Sequence, residues 1–136
     1  MSSVISRIDQ RIIPLVICMN KKGMKTYASC QGHGFPLDKL KPYVAFRSDL
    51  DTAKTLARLV REDAESEQHR LNWGWEVEAR FDSRFALIFH LFPTNPHRRG
   101  FRYLRQTLNE DLNTLPLLLE ERICDSAQDF NGVDNT

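Results

Sequence analysis

The stretch that most limits the fold runs from Trp73 to Phe92. Trp73, Trp75, Val77, Ala79 and Phe81 alternate with Gly74, Glu76, Glu78 and Arg80. A period of two places the first set on one face of a strand and the second set on the other. Asp82-Ser83-Arg84 follows as a hairpin connection, and Phe85 to Phe92 is apolar on both faces apart from His90. The second strand is therefore expected to lie more centrally in a sheet. Pro93 and Pro96 are expected to end it. If Phe81 pairs with Phe85, Glu76 falls opposite His90, and a carboxylate beside an imidazole favours the charged imidazole. A one-residue slip removes that pairing. Burial in an apolar strand accounts for a lone histidine equally well.

The remaining elements follow from periodicity and end signals. A helix is expected from Ile12 through Leu15, Val16 and Met19 to Lys22, with Pro14 tolerated in its first turn. A longer helix kinked at Pro14 is the alternative. Gly23 suits the left-handed residue that closes a helix, and Lys21 and Lys22 complement the dipole. Met24 to Ser29 and Tyr43 to Arg47 read as strands. Ser48-Asp49-Leu50-Asp51 has the form of a capping box, and Leu50, Ala53, Leu56, Ala57, Val60 and Ala64 make a helical stripe as far as Ser66. A last helix is expected from His97 toward Arg122, with Phe101, Leu104, Leu108, Leu112, Leu115 and Leu119 inward and a kink or break at Pro116.

This order predicts an α+β fold: two layers, a mostly antiparallel sheet of about four strands, and about three helices packed on it. At 136 residues the chain is expected to form a single domain over 1–124, followed by a disordered polar tail over 125–136.

Chemistry is concentrated in Thr26-Tyr27-Ala28-Ser29-Cys30-Gln31-Gly32-His33-Gly34. Glycines let a backbone approach a ligand, and successive N–H groups in such a loop can cradle an anion. Thr26, Ser29, Cys30, Gln31, Gly32 and His33 are the candidate ligand-binding residues. A plain strand-to-loop turn is the competing account, with Cys30 as a small buried hydrophobe. Cys30-x-x-His33 has metal-ligand spacing, but a structural zinc needs four ligands and no second paired motif is present, so no metal is predicted. His90, Arg98, Arg102 and Arg105 are the candidates behind this loop. The three arginines would line one edge of the last helix, where no acid stands in the first two turns. A phosphate or carboxylate there would relieve the clash with the helix dipole. A solvated basic face is the alternative.

The net charge of +1 does not by itself mark a nucleic-acid binder, although a local basic patch still can. Three cysteines without framework spacing favour a reducing, cytoplasmic setting. No apolar run is long enough to span a membrane, and no secretory apolar segment stands at the start.

Ile12-Ile13-Pro14-Leu15 with Asn20, followed by Thr26, Ser29, Cys30 and Gly32, resembles the N-terminal part of the tRNA wybutosine-synthesis methyltransferase family. The family signature runs Thr-x-Ser-Ser-Cys-Ser-Gly-Arg. Here Ala28 stands for the first Ser, Gln31 for a Ser and His33 for the Arg. The resemblance implies a related α+β fold, a ligand site on this loop, S-adenosylmethionine as a cofactor and RNA as a partner. It does not carry the methyl transfer over, because the altered positions lie inside the signature. Three function classes are left. They are a nucleotide- or RNA-handling protein, a non-catalytic binder of a protein or small anionic metabolite, and a thiol enzyme using Cys30 with His33 or His90.

Overall fold

The structure is a computed structural model and describes residues 10–30 and 41–125. A 3₁₀ turn at Gln10–Ile12 leads into helix α1 (Ile13–Lys21), with Pro14 in its first turn, where the missing N–H forfeits no hydrogen bond. Gly23 takes φ 90°, a left-handed conformation that costs glycine little, and the chain turns into strand β1 (Lys25–Cys30). Strand β2 spans Tyr43–Arg47 and helix α2 spans Leu50–Glu65. Strands β3 (Trp73–Phe81) and β4 (Leu87–Pro96) form the hairpin. A 3₁₀ turn at Arg99–Tyr103 and helix α3 (Arg105–Arg122) complete the order.

The strands form one antiparallel sheet in the order β1-β2-β4-β3, so the fold is α+β and β4 is central, as its two apolar faces implied. The core joins Leu15 and Met19 of α1, Leu56 and Val60 of α2, and Leu108, Leu112, Leu115 and Leu119 of α3 to one face of the sheet. That face contributes Val44, Phe46, Phe89, Leu91, Trp73 and Trp75. Asp111 is buried where α3 meets β3. Its carboxylate accepts hydrogen bonds from Asn72 N (2.7 Å), Trp73 N (3.0 Å) and Trp75 Nε1 (3.0 Å). These bonds fasten α3 to the start of β3.

Three sequence expectations need correction. The cap of α2 is Asp49, not Ser48: its Oδ1 accepts from Thr52 N at 2.7 Å, while the Ser48 hydroxyl donates to the Asp49 carbonyl. The hairpin register differs by two residues. Phe81 pairs with Leu87, which puts Glu78, not Glu76, opposite His90. The cause is a wider turn, in which Asp82 Oδ1 accepts from both Arg84 N and Ala86 N, and Asp82 N donates to the Ala86 carbonyl.

The last helix also starts later than expected. β3–β4 pairing continues to Trp73 and Pro96, and His97 N donates to Asn72 O at 2.9 Å. Regular α-helix therefore begins only at Arg105, Leu104 is exposed and Phe101 is partly buried. α3 then passes through Pro116 without breaking.

Candidate functional site

Residues paired across an antiparallel ladder share a face. Val44, Leu91 and Val77 line up on the side covered by the helices, and Ala45, His90 and Glu78 line up on the other. On that second side Tyr43, Glu78, Arg80, His90 and Phe92 line a cavity of about 530 Å³. Its size suits a small organic ligand, and its walls mix aromatic surface with a few convergent polar groups.

The sheet builds this site from distant parts of the chain. β2 brings Tyr43, and the central β4 brings His90 and Phe92. The Tyr43 and His90 rings meet edge to face, with centroids 5.9 Å apart and planes at 84°. β3 brings Glu78 and Arg80, whose side chains pair at 2.9 Å. The His90 imidazole is held below its ordinary pKa, first by burial and then by the Arg80 charge, with Glu78 opposing both. This reverses the expectation of a charged imidazole. The carboxylate opposite His90 is already committed to Arg80, and the arginine repels the imidazolium. A neutral His90 carries one ring N–H donor and one ring acceptor. Together the walls offer faces for a flat ring, a guanidinium, a carboxylate and an amphoteric imidazole.

Strand β1, which carries the first part of the 26–34 motif, runs toward this cavity. Ser29 pairs with Val44 and Cys30 with Tyr43, so β1 delivers the motif to the register position beside a cavity wall. The side chains of Ser29 and Cys30, and all of Gln31, Gly32 and His33, lie outside the described residues. Thr26 stands at the other end of β1. Its N–H donates to Asn20 Oδ1 at 2.9 Å, and Asn20 Nδ2 donates to its hydroxyl at 3.2 Å. Thr26 thus clasps α1 to β1. A bulge follows it, and Tyr27 lies under the Arg47 guanidinium at 5.0 Å.

The three arginines do not share a helical edge. Arg98 caps the 3₁₀ turn, Arg102 lies within it, and Arg105 opens α3 with Nε 3.2 Å from Asn109 Oδ1. They follow β4 at the end of the sheet where β1 delivers Cys30.

The Cys18 thiol is held in its protonated form. Burial first, and then the Glu120 charge, push its thiol up to about 11. Among the described residues, no group of three or more His, Cys, Asp or Glu is placed to hold a metal ion. None of the helices among them is long and apolar enough to cross a membrane.

No family model, curated protein or solved structure matches this chain, and the resemblance to the wybutosine-synthesis family rests on the quoted residues alone. Sequence reasoning singled out His90 but missed Tyr43, Glu78, Arg80 and Phe92. The available signal was alternation: Tyr43, Ala45 and Arg47 share one face of β2, as His90 and Phe92 share one face of β4.

Proposed function

We propose that the protein is a cytoplasmic RNA-binding domain that takes an unpaired base on the face of its sheet opposite the helices. The observation that carries this reading is the cavity walled by Tyr43, His90 and Phe92, with Glu78 and Arg80 at its side. Unstacked bases are recognised by stacking on aromatic rings and by hydrogen bonds along their edges, and open antiparallel sheets are a recurrent platform for this. Glu78 supplies acceptors for exocyclic amino groups, and Arg80 supplies donors for carbonyl or phosphate oxygens. The pairing of Cys30 with Tyr43 supports the same reading, because the strand that leads into the ligand loop expected from the sequence ends beside a cavity wall. S-adenosylmethionine, the cofactor that the resemblance implies, carries an adenine ring of the class these walls suit and is one ligand to test. Three cysteines without framework spacing support a reducing compartment.

The test is an amide chemical-shift titration with a short single-stranded RNA, with AMP and with S-adenosylmethionine. Saturable shifts at Tyr43, Glu78, His90 and Phe92 are expected. Tyr43→Ala and Phe92→Ala should each weaken RNA binding by about tenfold, the scale of one lost base stack. Binding that both variants leave unchanged would overturn the proposal.

A protein-contact role is the second reading. It is favoured by the hairpin tip, where Phe81, Phe85 and Leu87 are all exposed. A photo-crosslinking residue at position 85 that captures no partner in cell extract would count against it.

A further inference from the structure

A second cavity, of about 270 Å³, lies between α2 and the sheet edge formed by β3. Its walls are Lys54, Ala57, Arg58, Arg61, Glu76 and Val77. The three cations stand at i, i+4 and i+7, one side of the helix. Among the described residues no acid pairs with any of them, and Glu76 is the one acid in the wall.

Two acids of α2 are engaged elsewhere. Glu62 pairs with Arg122 at 2.9 Å, and Asp63 accepts from the backbone N–H groups of Arg70 and Leu71. These two acids hold the fold together, while Lys54, Arg58 and Arg61, with Asp51 and Glu65 at the two ends of their stripe, line the groove. Like charges one helical turn apart repel, so Lys54 and Arg58 are better satisfied with an anion between them.

The groove and the aromatic cavity lie on the two sides of one edge strand. Val77 lies on the groove side, while Glu76 and Glu78, about 7 Å apart along β3, share the face of the aromatic cavity, with Glu76 at the strand edge that also borders the groove. A bound chain has to pass round the edge strand β3 to engage both.

We propose that this groove is a second anion site, holding the phosphodiester groups of the single-stranded RNA whose base occupies the aromatic cavity. The proposal rests on the RNA-binding reading for the identity of its ligand. Arginine and lysine at such spacing position a backbone without reading its sequence.

Three probes separate the two sites: AMP, which reports on the aromatic cavity, a short abasic deoxyribose-phosphate oligomer, which carries phosphates without bases, and a single-stranded RNA. The protein is compared with a Lys54→Gln/Arg58→Gln/Arg61→Gln variant, whose substitutions are all at exposed positions. The wild type is expected to bind the abasic oligomer at low salt, with shifts at residues 54, 58 and 61, and the variant to lose this binding. AMP affinity should be the same in both. The slope of log affinity for RNA against log salt should fall by about 2 in the variant, from about 0.7 per phosphate contact. An abasic oligomer that does not bind the wild type overturns the groove, and so does an unchanged RNA slope. If AMP and RNA do not bind while the abasic oligomer does, the aromatic-cavity reading fails and the phosphate site stands.

Discussion

Asp111 Oδ2 accepts a hydrogen bond from the Trp75 indole Nε1 at 3.0 Å, inside the core and away from water. Burial raises the Asp111 carboxyl to about 6, and the bonds from Trp75, Asn72 and Trp73 only partly offset it. The folded-state pKa thus lies above the ordinary value of 3.8. The folded protein binds more protons than the unfolded chain between these two values, so this group's contribution favours folding at low pH and is lost as pH rises toward 6. The full difference is about 3 kcal/mol. Asp111→Asn removes the titration. The stability gap between wild type and this variant, from urea unfolding, should shift in favour of the wild type from pH 6.5 down to about 4. A gap that is flat over that range would rule this account out.

Phe85 holds φ 65° at the hairpin tip while its side chain is 81% exposed. A Cβ in the left-handed region costs about 1–2 kcal/mol, and burial returns little at so exposed a position. Phe85→Gly relieves this and loses about 0.5–1 kcal/mol in chain entropy. A net gain of up to about 1 kcal/mol is expected. The midpoint of urea unfolding should rise; a fall would mean that Phe85 packs against something the exposed tip does not suggest.

Lys22 is buried with its ammonium 3.0 Å from Glu120 and 2.7 Å from Asp125, both partly exposed. Burial alone would lower its pKa, but the bonds to Asp125 and Glu120 outweigh it and keep it raised. The two ends of this cluster are not equivalent. Lys22→Met leaves two acids that water can solvate, whereas Glu120→Gln with Asp125→Asn leaves a buried ammonium without a counter-charge. The double acid variant should therefore unfold at lower denaturant than Lys22→Met, and the opposite order would contradict the burial of Lys22.

How much of this was legible in the sequence depends on range. The β3–β4 hairpin, α2 and the start of α1 are written in local alternation, stripe and proline placement, and they form close to where those signals put them. The hairpin register was not legible, because Phe85 looks like a strand residue. Only the Asp82 side chain, by capturing Arg84 N and Ala86 N, commits it to the turn. The delayed start of α3 was hidden for a similar reason: Phe101 and Leu104 fit a helical stripe, but Asn72 holds His97 N from another element. The site was half visible. His90 and the Cys30 motif stand out locally, yet Tyr43 joins them only through β1–β2 and β2–β4 pairing. No local pattern encodes that pairing.

The electrostatics around His90 give the sharpest test of the site. His90 faces Arg80, which lowers its pKa, and Glu78, which raises it, on top of the lowering by burial. Glu78 and Arg80 are paired with each other, so removing either frees the other to act on the imidazole. Arg80→Ala removes a repelling charge and releases the carboxylate, and both changes favour the imidazolium. Glu78→Gln removes the attraction and releases the guanidinium, and both changes disfavour it. A ring-proton titration followed by NMR should place the wild-type His90 below 6.5, the Arg80→Ala variant above wild type and the Glu78→Gln variant below it. If both variants shift the titration the same way, burial alone governs His90. The three side chains would then not act as one polar wall, and the case for edge recognition of a base on this face would lose its footing.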